Sequence, residues 1–169
     1  MEKKILALIS EDFEDLEVWY PVLRLREEGC QVDFAAEKPG LYHGKYGVPC
    51  EVELSFKDVS ADDYDGILVP GGWAPDKLRR FPKVLQLVRQ MNEQDKLIAE
   101  ICHAGWVLAS ADILKGRKVT STPGIKDDMM HAGAEWVDEP CVIDKNLVSG
   151  RRPPDLPLYG KGIIEVLSR

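Results

Sequence analysis

Short apolar runs, each followed by a turn signal or a helix-like stretch, set the rhythm of this chain. Runs of strand length lie at residues 4–9, 31–36, 65–70 and 97–102, and alternation of this kind predicts a parallel sheet with helices on both faces. Between the first two runs, Leu16, Trp19, Tyr20, Leu23 and Leu25 recur at helical spacing. They predict a helix over 14–28 that stops at Gly29, a natural residue for the position just past a helix end. Pro21 inside that stretch predicts a kink. Around Gly44, Gly47 and Pro49 the pattern shortens to extended pieces, read as a hairpin over 41–56 at the sheet edge. Further helices are expected near 83–94, 105–114 and 159–168, with late strands near 117–120, 141–144 and 147–149. No repeat, linker or low-complexity tract interrupts the series. The expected fold is a flavodoxin-like three-layer α/β/α sandwich with a mostly parallel sheet, formed by one domain over residues 1–169.

Composition narrows the function classes. Of 169 residues, 44% are hydrophobic and 30% charged, with a formal net charge of −7. Basic residues are scattered apart from the pairs Lys3-Lys4, Arg79-Arg80 and Arg151-Arg152, so nucleic acid is not an expected partner. No apolar run approaches the roughly 18 residues of a membrane span, and the N-terminal run reads as a first strand instead of a signal peptide. Neither a membrane nor export is expected. The four cysteines, Cys30, Cys50, Cys102 and Cys141, lie far apart without a Cys-x-x-Cys pair, which fits reduced thiols and a cytoplasmic protein. Three histidines without shared spacing do not suggest a metal site. The absence of Gly-x-Gly-x-x-Gly and P-loop patterns gives no nucleotide cofactor. Cys30, Cys50 and Cys141 read as inert small hydrophobes, and His43 and His131 as exposed.

Cys102 is different. The segment 97–109 reads as a buried strand, then Cys102-His103, then a helix opened by Ala104 and Gly105. A side chain at such a junction sits at the carboxyl end of the sheet, where open α/β folds bind ligands. It also faces the partial positive charge of a helix N-terminus, which favours a thiolate. This is a nucleophile elbow built with cysteine. One strand earlier, the run ends in Gly71-Gly72; their N–H groups, with that of His103, form a candidate oxyanion hole. The first strand ends in a cluster of carboxylates over 11–15, of which Glu14 is the candidate to hydrogen-bond the sulfur and carry its proton. Glu100 lies two residues before the nucleophile, so strand alternation aims it to the same face, where a carboxylate would raise the thiol pKa.

The motifs GluAspPheGluAspLeuGlu (11–17), ProGlyGlyTrpAlaProAsp (70–76), IleCysHis (101–103), the stretch 114–128, AlaGlyAlaGluTrpValAsp (132–138) and SerGlyArgArgProProAspLeuPro (149–157) occur in one order. In this the chain resembles the PfpI family of intracellular cysteine peptidases and deglycases, within the class I glutamine-amidotransferase-like fold. The resemblance implies Cys102 as nucleophile, His103 as its imidazole partner and Glu14 as the carboxylate at the thiol. It places Asp76 where such assemblies supply an acidic residue to the histidine from a neighbouring subunit, which implies a homo-oligomer, a dimer or a hexamer. Asp76 is one methylene shorter than the Glu expected there, and Trp106 stands close after the histidine where a smaller residue is usual, narrowing the mouth of the pocket. The implied activity is cofactor-independent hydrolysis of peptides or of glyoxal- and methylglyoxal-derived adducts, or hydration of the free aldehydes, in a stress response. Two other readings of the same residues stand beside it. One is a redox or carbonyl stress sensor using an oxidisable Cys102; the other is a holdase-like stress protein with Trp73 and Trp106 on an apolar surface.

Overall fold

The computed structural model describes residues 1–169. The elements run β1 (Lys4–Leu8), α1 (Asp15–Glu27), β2 (Gln31–Ala36), β3 (Gly40–His43), β4 (Pro49–Val52), β5 (Leu54–Ser55), β6 (Gly66–Val69), α2 (Ala74–Leu78), α3 (Pro82–Glu93), β7 (Leu97–Ile101), α4 (Gly105–Ser110), β8 (Lys118–Val119), α5 (Lys126–His131), β9 (Glu135–Trp136), β10 (Cys141–Asp144), β11 (Leu147–Gly150) and α6 (Leu156–Leu167). Seven strands form the main sheet in the order β10-β11-β7-β6-β1-β2-β5. All its neighbours are parallel except β10 and β11. The inner order β2-β1-β6-β7-β11 is the flavodoxin-like doubly wound order, extended by β5 at one edge and antiparallel β10 at the other.

Helices α1 and α6 pack together on one face, while α2, α3 and α4 cover the other. Strands β6 and β7 are buried along their whole length, as apolar runs sandwiched between two helical layers must be. This is the three-layer architecture expected from the alternation of apolar runs. The strand order reverses between β1 and β6, and the crevice at such a reversal lies at the carboxyl ends of the strands. Loops after β1, β6 and β7 therefore meet at one edge.

Several local expectations are modified. Helix α1 runs uninterrupted through Pro21, a buried residue on its inner face. Packing against the sheet outweighs the one backbone bond that a proline removes. Gly29 does end the helix, at φ +82°, with the Cys30 N–H donating to Leu25 O at 3.0 Å. The hairpin β3–β4 forms a two-stranded sheet of its own, and the edge of the main sheet is occupied by β5 on β2. Its tip is instead tied to the start of α1: the Tyr46 and Val48 N–H groups donate to the Asp15 carboxylate at 2.9 and 2.8 Å. Helix α4 stops at Ser110 and α6 begins at Leu156. The short α5, and the pairing of β8 with β9, lie in a stretch that apolar periodicity left without a helix.

Loops after β1 and β6 are clamped to each other. The Glu14 N–H donates to Gly71 O at 3.2 Å, and the Trp73 N–H to Asp12 O at 2.9 Å. Gly72 sits between them at φ +75°, where a Cβ would come within 2.6 Å of Asp12 O and 2.7 Å of Phe13 C. Gly72→Ala is therefore expected to lower the unfolding free energy in urea by about 1–3 kcal/mol, the range for a forced backbone conformation. Unchanged stability would contradict this clamp.

Candidate active site

Cys102 follows β7 directly and has φ +62°, a left-handed conformation that a non-glycine residue adopts at a cost. The turn lifts the side chain off the sheet at the head of a short 3-10 turn that runs into α4. Gly105 lets that helix approach α5 closely, since a Cβ there would lie 2.6 Å from Met129 Cε. The Cys102 sulfur lies 3.3 Å from His103 Nδ1. Burial, then the Lys45 ammonium, pushes the His103 pKa below the usual value, so the imidazole is neutral at neutral pH and can accept a proton.

The carboxyl group at the sulfur is that of Glu17, not Glu14. Glu14 is the N-cap of α1 and accepts the Glu17 N–H at 2.9 Å. That bond turns Glu14 to the helix axis, and the residue three positions on faces inward. Glu17 is only 2% exposed. Its carboxyl lies beside the Cys102 thiol and the Gly71 N–H, which pull its pKa down, yet neither oxygen completes a well-aligned hydrogen bond. Gly71 makes room for this approach: a Cβ would overlap the Glu17 carboxyl and lie 2.9 Å from Cys102 Cβ. The remaining signal for Glu17 in the sequence is its place one turn after an N-cap residue.

Burial, then the charge of Glu14, drives the Glu17 pKa well above the usual carboxyl range. Burial, followed by repulsion from Glu17, pushes the Cys102 thiol up to about 12, while the His103 N–H and the Thr122 hydroxyl draw it back. The repulsion exists only when Glu17 is ionised. With Glu17 neutral, its O–H is a donor to the sulfur and favours the thiolate. Thr122, whose N–H also donates to Cys102 O at 3.3 Å, is a second neighbour that sequence reasoning missed. It comes from the loop after β8, which no motif ties to the nucleophile.

Glu100 is fully buried, and both of its oxygens lack a partner. Burial, then Glu17, drives its pKa well up, and its charge would add to the elevation of the thiol, as alternation along β7 predicts. The Gly71 and Gly72 N–H groups are not taken by backbone carbonyls. The Gly71 group faces Glu17 and the His103 N–H faces the sulfur. Asp76, on α2, pairs with Arg80 at 2.6 Å and has no bond to His103 within the chain. Two indoles stand near the imidazole, whose centroid is 6.1 Å from Trp73 and 5.2 Å from Trp106. The Trp106 ring does stand against the histidine, held by its N–H on Asp128 at 2.8 Å. Cys30 and Cys50 are buried and Cys141 is partly so, with burial raising the Cys50 thiol to about 12 and Cys141 to about 11.

A cysteine on a left-handed strand-to-helix turn, flanked by an imidazole and a buried carboxyl, defines a thiol-dependent α/β enzyme site. The family model for the DJ-1/PfpI family matches residues 3–166. Deglycase PfpI of Pyrococcus furiosus is 43% identical over 164 residues, 97% of this chain and 99% of that protein. A Bacillus subtilis protein named "Putative cysteine protease YraA" is 35% identical over 170 residues, 99% of each chain. Among solved structures, a two-domain protein from Anabaena variabilis with dj-1/thij/pfpi-like and ferritin-like domains superposes at TM-score 0.96 and 36% identity. The match covers 99% of this chain and 48% of that one, so this chain spans about half of that protein. Schizosaccharomyces pombe DJ-1 shares the fold at TM-score 0.87 and 23% identity, over 96% of this chain and 90% of that one. The chain belongs to the DJ-1/PfpI family.

Two outcomes follow. Glu17→Leu should raise the apparent pKa of Cys102, read from the pH dependence of iodoacetamide alkylation, by about one unit, the loss expected for a hydrogen bond to a charged group. A fall would mean that Glu17 is anionic. Because Glu17 and Glu100 have raised pKa values in the folded state, their burial is tolerated fully below about pH 4.5 and costs stability as pH rises from there through the folded-state pKa values. Urea-unfolding free energies should therefore decline more steeply with rising pH in the wild type than in Glu100→Gln, by up to about 1.4 kcal/mol per pH unit. Parallel profiles would contradict a neutral buried Glu100.

Proposed function

We propose that this protein is a cofactor-independent cysteine hydrolase of the PfpI type, acting on glyoxal- or methylglyoxal-derived adducts or on peptides. The observation that carries the reading is Cys102, held at φ +62° with its sulfur 3.3 Å from a neutral imidazole. Relatives at 42–43% identity named as deglycases, and one named as a cysteine protease, support the reaction class.

In this reading His103 takes the thiol proton and the sulfur attacks a carbonyl carbon. That carbon is either the amide carbon of a peptide or the aldehyde carbon formed when a hemiaminal adduct opens its C–N bond, its hydroxyl proton passing to the departing amine. A C–S bond forms and the carbonyl electron pair moves to oxygen. The N–H groups of His103 and Gly72 hold that oxygen, with Gly71 kept for Glu17. From a peptide the C–N bond then breaks, and the amine leaves with the proton carried by His103. Water finally cleaves the C–S bond and restores the thiol. Glu17, as a neutral acid, steadies the thiolate before attack. Glu14 acts one step removed, by capping the helix that presents Glu17. Asp76 enters only if a second copy brings it to His103, which makes a homo-oligomer part of the proposal and the cytoplasm its setting.

The test is turnover of a methylglyoxal adduct on the side-chain amine of Nα-acetyllysine, and of a fluorogenic peptide, by the wild type and Cys102→Ser. Release of amine or fluorophore should fall at least about a thousandfold in the variant, as for loss of a nucleophile. Full turnover of both by Cys102→Ser would overturn the reading. Turnover of one substrate alone assigns the class.

A further inference from the structure

Trp73 is the one indole at this site that stands well out of the protein, at 58% exposure, whereas Trp106 is partly buried. Standing beside the imidazole, this exposed ring is within reach of a ligand that enters the site. Its position is fixed from several sides. The Trp73 N–H is bonded to Asp12 O, the preceding Gly72 cannot carry a side chain, and the next residue opens α2. The ring lies 6.1 Å from the His103 ring at an interplanar angle of 37°, so it continues the wall of the site outward from the imidazole.

The other indole beside the imidazole shows what such a ring can hold. The Arg79 guanidinium lies over the Trp106 ring at 5.5 Å. It is anchored there by its Nε–H, which donates to Ser110 Oγ at 2.9 Å. Trp106 is thus engaged by a planar cation of its own chain, while Trp73 has no cation of the chain over its ring. Indoles are the strongest of the aromatic faces for a guanidinium, through cation–π attraction and flat stacking. The rim around Trp73 carries the carboxylates of Asp12 and Asp76, which are about half exposed and paired with Lys77 and Arg80. A chain with net charge −7 attracts cations in general.

We propose that the Trp73 indole is the platform for the guanidinium end of arginine-derived adducts, making Trp73 a specificity-determining residue of this site. The inference rests on the hydrolase reading above and names its substrate class. An adduct carried on the guanidinium itself would have its carbonyl-derived carbons one or two bonds from the stacked group, on the side of His103 and Cys102. Trp73 contributes to binding and leaves the bond-making steps to Cys102 and His103. A second copy that brought Asp76 to His103 would add a carboxylate to the same rim and favour the cation further.

The experiment separates this from the hydrolase reading by measuring binding without turnover. The Cys102→Ser protein is titrated with N-acetylarginine amide and with N-acetylcitrulline amide, which is planar but uncharged, while the indole N–H resonances are followed by NMR. The Trp73 resonance, assigned by its loss in Trp73→Phe, should shift saturably with the arginine compound, with a Kd about fivefold below that for citrulline, the preference expected of an exposed cation–π contact. Cys102→Ser/Trp73→Ala should lose that preference while remaining folded by circular dichroism. In the active protein, Trp73→Ala should raise KM for the methylglyoxal adduct of N-acetylarginine about fivefold with kcat held, and leave KM for the glycinamide adduct, which has a C–N bond but no guanidinium, unchanged. Equal affinity for the two amides, or a shift that bypasses Trp73, would overturn the inference. So would a change in sedimentation coefficient on Trp73→Ala, which would assign the ring to contact between copies. None of these binding results depends on whether Cys102 turns over an adduct.

Discussion

Cys102, Glu17 and Glu100 gather three acidic protons at the end of β7; Glu100 has no partner, and Glu17 has no ion pair, only the Gly71 N–H and the thiol beside it. An unpaired charge in such a place is costly, and two at close range are prohibitive. The site therefore tolerates little negative charge at once. Burial already pushes the thiol up, to about 12 together with repulsion from Glu17, and a charge on either carboxyl opposes the thiolate further. If both carboxyls keep their protons, the single charge is free to reside on sulfur. The chemistry of the site depends on which group ionises, and a neutral Glu17 removes the repulsion that opposes a thiolate. The same argument makes Lys45 more than a surface residue, because its ammonium lowers the pKa of Glu14, Glu17 and His103 alike.

That electrostatic arrangement requires close backbone approach. Gly71 is the gap through which the Glu17 carboxyl reaches the cysteine, and Gly72 locks the loop after β6 to the loop after β1. Strain at Cys102 is maintained by what surrounds it: a fully buried strand before it, a helix packed tightly at Gly105 after it, and Thr122 bonded to its carbonyl. A left-handed cysteine persists only where neighbours determine its conformation on every side. The fold thus supplies rigidity at the one residue whose backbone is least comfortable.

Much of this was legible in the chain. The fully apolar runs of β6 and β7 and the glycine after α1 announce a doubly wound sheet, because burial on both faces and a left-handed stop leave clear marks. Cys102-His103 after a buried run, with Gly71-Gly72 after the preceding one, marked the sheet edge where the structure brings them together. The carboxyl was misplaced by one helical turn. Glu14 and Glu17 are alike in composition and differ only in which way the first turn of α1 points them, and the N-cap bond that decides this is a matter of backbone geometry. Thr122 was invisible for a different reason: it reaches the sulfur across the fold from a loop after a two-residue strand. The hairpin was recognised but not its attachment, since the Asp15 bonds to Tyr46 and Val48 join residues about thirty positions apart. Local pattern carries elements well and long-range polar contacts poorly.

The most direct test of the account is the protonation state of Glu17 itself. Infrared difference spectra between the wild type and Glu17→Gln at neutral pH, with Glu100→Gln as a control for the second buried carboxyl, read it without reference to activity. Glu17→Gln is expected to remove a protonated-carboxyl C=O stretch, and alkylating Cys102 to shift the same band in the wild type. Loss of carboxylate bands instead, with the protonated stretch untouched, would show Glu17 ionised beside the sulfur and contradict the claim that a neutral carboxyl prepares the nucleophile.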